Sequence, residues 1–163
     1  MNGLAFQHAA PQRLQLSRAA GFKLQAHSRA LNGRPAVKCD RTTKFGNPYL
    51  IGHFVDRKQV KRWGWEFSPG GYCAVCRNAK EAVERFEHCL LWDVAIHDWL
   101  REQLGGMNLA CWCGPEEYCH VDPILKIVNA TPATVNARLE KIDADILSGA
   151  DAALVENPVS EAK

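Results

Sequence analysis

No run of apolar residues in this 163-residue chain approaches the length of a membrane span, which excludes a membrane-spanning helix. No secretory leader pattern is read at its start. The charge favours neither sign: the net value is only +2, which gives no general nucleic-acid signature. The sequence has no internal repeat, so it is not a solenoid or propeller array. Its seven cysteines are an odd number without a secretory pattern, which argues against a disulfide framework and for reduced thiols in a cytoplasm. What remains is an ordinary globular composition, 47 % hydrophobic and 23 % charged, at a length that fits one domain with a sizeable core.

The charge that is present is uneven. Residues 1–44 hold Arg13, Arg18, Lys23, Arg29, Arg34, Lys38, Arg41 and Lys44 against the single acid Asp40. A basic arm that meets phosphate is one reading, and a solvated face balanced by the acidic C-terminal third is the other.

The pattern along the chain is that of alternating strands and helices. Residues 1–12 carry little pattern and read as a frayed start. Arg13–Leu16 alternates like an edge strand, and Ala36–Cys39 and Met107–Trp112 read as further short strands. Tyr49–Ile51 reads as a short strand or turn. Arg57–Trp65 reads as a short helix, and Ser68-Pro69-Gly70-Gly71 as a breaker. Asn78 caps a helix that runs to Leu91 with Ala79, Ala82, Val83, Phe86, Cys89 and Leu90 on one face. Helices over Val94–Leu104, Pro123–Asn129 and Ala133–Leu147 follow. Trp63, Trp92 and Trp99 are expected in the core, and His88 and His97 as exposed polar residues. The last fifteen residues are expected to be disordered. The fold class is therefore α/β: a small single domain over 13–148, three-layer and Rossmann-like, with a short, mostly parallel sheet flanked by helices.

Chemistry concentrates between Cys111 and Asp122. Cys111 and Cys113 alternate onto one face of a strand, with Trp112 on the other. Gly114-Pro115 ends the strand. Asp122-Pro123 suits the start of a helix, which puts Cys119 and His120 at its positive end and would lower the Cys119 pKa. Three readings are open. Cys111, Cys113, Cys119 and His120 offer zinc four soft ligands, though with spacings of one and no residues between paired ligands that strain a tetrahedral site. Cys119, His120 and Asp122 instead suit a catalytic pocket, with Asp122 orienting or accepting a proton. Buried reduced thiols with no further role are the third.

A second loop, Asp40–Pro48, follows the predicted strand ending at Cys39, at the sheet end where ligands bind. Arg41 there can clamp phosphate or carboxylate, Gly46 permits unusual backbone angles, and Asn47 can orient a polar ligand. Cys73-Ala-Val-Cys76 has the spacing of half a zinc ribbon or of a redox pair.

Arg13-Leu-Gln-Leu-Ser-Arg-Ala-Ala-Gly-Phe, Arg41-Thr-Thr-Lys-Phe-Gly-Asn-Pro-Tyr and Leu109-Ala-Cys-Trp-Cys-Gly-Pro with Cys119-His120-Val-Asp122 resemble three signature blocks of the DUF4326 family, in the family's order. The resemblance spans about residues 13–130 and implies a phage or bacterial provenance, but no reaction. Arg41, Gly46, Asn47, Pro48, Cys111, Cys113, Cys119, His120 and Asp122 match the motif positions. Phe22 and Phe45 stand where the family often has Trp, and Thr42 where it often has Pro.

The expected function is an enzyme on a nucleotide, nucleoside or modified base. Arg41, Gly46 and Asn47 would bind a nucleotide-like small molecule, and Cys119, His120 and Asp122 would do the chemistry. The alternative is a zinc-stabilised module, with Cys111, Cys113, Cys119 and His120 as ligands, that binds a host protein or nucleic acid without catalysis. Removing residues 150–163 should leave the melting temperature unchanged, because the segment lacks a periodic apolar face; a large drop in thermal unfolding would mean that it docks.

Overall fold

The computed structural model describes residues 10–65 and 75–130. The predicted Ser68–Gly71 breaker, Cys73, the Ala133–Leu147 helix and the C-terminal tail lie outside them. Three strands form one sheet: β1 (Arg13–Gln15), β2 (Ala36–Lys38) and β3 (Asn108–Cys111). Their order is β1-β3-β2 and both pairings are parallel. β3 is buried along its whole length, as a central parallel strand must be. Its register sets Leu14 opposite Ala110 and Val37 opposite Leu109.

Five helices complete the order: α1 (Leu24–Asn32), α2 (Arg57–Arg62), α3 (Ala79–Trp92), α4 (Val94–Leu104) and α5 (Val121–Asn129). Alternation along the strands decides which helix covers which face. Leu14, Leu16, Ala36 and Ala110 point to one side and meet Leu24 of α1. Leu109 and Cys111 point to the other, into a larger core with Phe86 and Leu90 of α3, Leu100 and Leu104 of α4, and Val121, Ile124 and Ile127 of α5. The result is the expected three-layer arrangement around a parallel sheet.

Several local expectations change. Gln12 is not frayed: its N–H reaches Asn108 Oδ1 at 2.8 Å and its carbonyl accepts from Leu109 N at 3.0 Å. Helix α1, which no sequence pattern announced, ends at Gly33, whose left-handed backbone (φ +76) returns its N–H to Arg29 O. Helix α2 stops at Arg62 rather than Trp65, because Gly64 turns the chain with φ +73. Trp63 is buried as expected, and Trp99 packs against the core at its edge. Trp92 is 53 % exposed, on the last residue of α3, where its Nε1 donates to His88. His97 was expected at the surface but is buried, its Nε2 2.7 Å from Leu90 O. That carbonyl lies in the last turn of α3 and has no partner within the helix, so the buried imidazole takes it.

A polar knot anchors the amino end of β3. Asn108 is fully buried; its Nδ2 donates to Ser28 Oγ and Asn32 Oδ1, both at 2.8 Å, and its Oδ1 accepts from Gln12 N and Asn32 Nδ2. The knot sets the ends of α1, β1 and β3 in register. Asn108→Leu would strand several of these groups, each worth about 1–3 kcal/mol when buried without a partner. We expect a loss of about 3 kcal/mol in urea denaturation; a change near zero would show that the knot is dispensable.

Candidate metal centre

The centre grows from the carboxyl end of β3. Strand alternation puts Cys111 and Cys113 on the same side, with their Sγ atoms 3.7 Å apart. Trp112 faces the opposite way, and its Nε1 donates to Asp40 Oδ2 at 2.9 Å. The chain then loops through Gly114–Tyr118 and turns into α5, where Cys119 and His120 are both buried. Cys111 Sγ lies 4.0 Å from His120 Nδ1. Cys111, Cys119 and His120 each present a ligand atom within 4.8 Å of the others.

The histidine is oriented from outside the group. Its Nε2 is 2.5 Å from the backbone carbonyl of Cys39. A carbonyl only accepts, so Nε2 carries the proton and Nδ1 of the neutral ring keeps its lone pair toward Cys111. Metal-binding histidines are held in this way, with the spare N–H on a carbonyl or carboxylate. The Phe86 ring meets the imidazole edge-to-face at 5.8 Å.

The thiols do not titrate independently. Hydrogen bonds from Cys113 and then Cys119 outweigh burial and drive the Cys111 thiol far below its ordinary value. Its donors move the other way: Cys113 and Cys119 are both pushed up, first by their bonds to Cys111. This corrects the expectation of an acidic Cys119. The Val121 backbone N–H, at the amino end of α5, does favour the Cys119 thiolate, but the neighbouring sulfurs dominate. Burial, followed by the charges of Cys111 and Asp40, pushes the Cys39 thiol up to about 12.

Arg13 closes the loop over the group. From β1 it donates to the carbonyls of Gly114 (3.1 Å), Glu117 (3.0 Å) and Pro115, and to Asp122 Oδ2 at 2.7 Å. It sits opposite Leu14 in the strand alternation, so it points to the α5 side of the sheet. In the sequence it is a strand residue in a basic segment and the first residue of a family block. Its partners lie about a hundred residues further on, and no local signal names them. Asp122 was expected to cap the helix before Pro123. Instead α5 begins at Val121, and Asp122 N donates to Cys119 O at 3.1 Å. Proline is tolerated there because first-turn amides have no helical acceptor.

The second loop meets the first at the same end of the sheet, through His120 on Cys39 and Trp112 on Asp40. Its members serve different ends. Gly46 lies against the start of its own loop: a Cβ there would fall 2.5 Å from Arg41 Cα and 2.8 Å from Asp40 O. Gly46 O accepts from Gln59 Nε2 and Trp63 Nε1. Asn47 is buried, donating to Ala82 O at 3.0 Å and accepting from Tyr49 N at 2.8 Å. Both polar groups of Asn47 are thus engaged inside the protein. Arg41 is exposed, with Nη2 3.2 Å from Tyr49 O. Cys76 is buried beside Ile51, to which its backbone bridges, and burial raises its thiol pKa. Among the described residues it is not part of the ligand group.

Fold and site together define a small parallel α/β protein with a buried Cys/His cluster at the carboxyl end of its sheet. The chain belongs to the family described as "Domain of unknown function (DUF4326)", which matches residues 23–130. That span holds the Arg41–Pro48 loop and the whole Cys111–Asp122 segment; the Arg13–Phe22 block precedes it. No curated protein and no solved structure matches the chain.

The Arg13 clamp makes a graded prediction. Arg13→Leu should cost about 2 kcal/mol, because several carbonyls and a carboxylate lose a shared charged donor. Asp122→Asn should cost less, since its carboxylate is partly exposed and the carbonyl contacts remain. Chemical denaturation of the two variants checks the order; an equal loss in both would mean that the ion pair, not the carbonyl clamp, holds the loop.

Proposed function

We propose that this chain is a zinc-stabilised binding module, in which Cys111, Cys113, Cys119 and His120 form a closed structural site. The observation that carries the reading is the outward bond of His120 Nε2 to Cys39 O, which leaves Nδ1 free beside the thiols. The spacing of Cys111, Cys119 and His120, whose ligand atoms all lie within 4.8 Å of one another, agrees with it; Cys113 lies outside that group and joins it through Cys111. Two thiolates about 2.3 Å from a tetrahedral zinc stand about 3.8 Å apart, and a thiolate and an imidazole nitrogen about 3.6 Å. The corresponding separations here are 3.7 Å for Cys111–Cys113 and 4.0 Å for Cys111–His120. Three thiols and an imidazole are soft enough to select zinc over magnesium or calcium. The close ligand spacing, which argued against zinc in the sequence, is eased by the backbone: the chain enters α5 at the Cys119-His120 pair.

A site with four protein ligands has no open position for substrate, so its part is to hold β3, the following loop and α5 together. The module then acts through its surface, on a host protein or nucleic acid. The enzyme reading on a nucleotide or base has less geometric support. It needs Asp122 to move a proton, yet that carboxylate is paired with Arg13. It needs Asn47 to meet substrate, yet both of its polar groups are engaged.

Metal analysis and melting curves separate the two readings. The module should carry one tightly held zinc per chain. Cys119→Ser and Cys111→Ser should both lose it and melt at a much lower temperature, because binding free energy is folding free energy at such a site. A metal-free wild-type protein whose Cys119→Ser variant melts normally but loses a nucleotide-directed activity would establish the enzyme reading instead.

A further inference from the structure

The connections that leave β1 and β3 pack on opposite faces of the sheet. The connection leaving β1 goes to α1, whose Leu24 packs on the Leu14–Ala110 face. The connection leaving the adjacent β3 goes to α5, in the core on the opposite face. Neighbouring strands whose connections part to opposite faces make a topological switch point, and ligands of open parallel sheets bind there, beyond the carboxyl ends of the strands.

Two side chains mark the place. Trp112, just past β3, is 39 % exposed, although its neighbours Cys111 and Cys113 turn inward. Arg18, on the loop leaving β1, sets its guanidinium 4.5 Å from the centroid of the Trp112 ring. The ring is not free to fold away, because its Nε1 is fixed on Asp40. Asp40 is buried and itself fully engaged: Lys38 Nζ is at 2.9 Å, and Thr42 donates through N and Oγ1. Burial opposes its charge, but the bonds from Thr42, Lys38 and Trp112 outweigh that and hold its pKa below the usual value. The carboxylate stays charged, and the Lys38 ammonium beside it offsets that charge. Residues 16–23, the loop leaving β1, contain Arg18 and Lys23 and no acid. Besides Asp40, the acids at this end include Glu116, Glu117 and Asp122, beyond β3; Glu117 is tied to Gly114 N and Asp122 to Arg13.

A rigid, half-open indole beside an arginine, with Lys23 on the same loop, is the chemistry of a stacking platform for nucleobases joined by phosphates. The platform lies on the surface, which suits a strand passing over it. We infer that the β1/β3 switch point binds single-stranded nucleic acid, with a base stacked on Trp112 and the neighbouring phosphate beside Arg18. This rests on the reading of the chain as a binding module and gives that module its partner.

The test is fluorescence anisotropy with labelled oligothymidylate and oligouridylate of about 16 nucleotides, the upper end of single-strand site sizes. The full-length protein is used, and zinc is measured in every sample. Wild type should bind at least one of the two strands, more weakly as salt rises. Trp112→Ala should weaken binding by about tenfold or more, and Trp112→Phe, which keeps a ring but loses the bond to Asp40, by only about threefold. Arg18→Glu should weaken it by about tenfold or more and flatten the salt dependence. Thymidine and uridine monophosphates should compete far more weakly than the strands. If Trp112→Ala does not fold, Trp112→Phe and Arg18→Glu decide. The inference is overturned if zinc-loaded wild type binds neither strand at low salt, if Arg18→Glu binds as wild type does, or if a mononucleotide competes as well as a strand. Wild type without zinc overturns the structural-site reading instead, so the two failures are distinguishable.

Discussion

The bond from His120 Nε2 to the carbonyl of Cys39 joins three parts of the molecule that are distant in the chain. It ties the end of β2 to the start of α5 and sets the imidazole beside Cys111 at the end of β3. Because the acceptor is backbone, the constraint depends on how β2 and β3 pair rather than on any side chain of the second loop. The parallel register of β2 with β3, Lys38 opposite Ala110, puts Cys39 next to the start of the cluster. Remove the register and the histidine loses both its orientation and its neighbours.

Around that bond the strand ends divide their labour by face. The inward face of β3 supplies Cys111, and past its end Cys113, to the cluster; Trp112 goes to the other side and meets Asp40. Arg13 does for the β3–α5 loop what the histidine does for β2: one half-buried cation ties together three of its carbonyls. Gly46 and Asn47 brace the second loop from inside, Gly46 by permitting close backbone approach and Asn47 by bridging to α3. The polar residues of both loops are spent mainly on building the end of the sheet. Arg18 and Trp112 face outward from it, with the guanidinium over the indole.

The aromatic layer behind the centre supports the same arrangement. Trp63 stacks on Trp65 and meets Phe86 and Trp99 edge-on, and Phe86 in turn meets His120. A buried polar cluster is costly unless its members are satisfied and its surroundings exclude water. Here the rings fill the space behind the imidazole, and the thiols and the histidine satisfy one another.

Much of this was legible in the sequence. Alternation located β1, and short runs after glycine or proline located β2 and β3. Periodic apolar residues after Asn78 located α3, and the Cys-Trp-Cys and Cys-His pairs located the centre, because strand alternation is local and fixed by covalent geometry. Local pattern did not give the partners of Asn47 and Asp122: an asparagine in a turn and an aspartate before a proline look alike whether they face solvent, a ligand or another helix. The positions of His97 and Trp92 were misread for the same reason, since a helix shows its periodicity but not which neighbour will need its imidazole. The sequence by itself determined the elements other than α1 and the chemical character of the cluster. Only the tertiary structure decided that His120 turns Nε2 to Cys39, that Arg13 reaches across to the β3–α5 loop, and that Arg18 lies over Trp112. Those pairings join residues tens to about a hundred positions apart, and they depend on strand order and register, which no local spacing encodes.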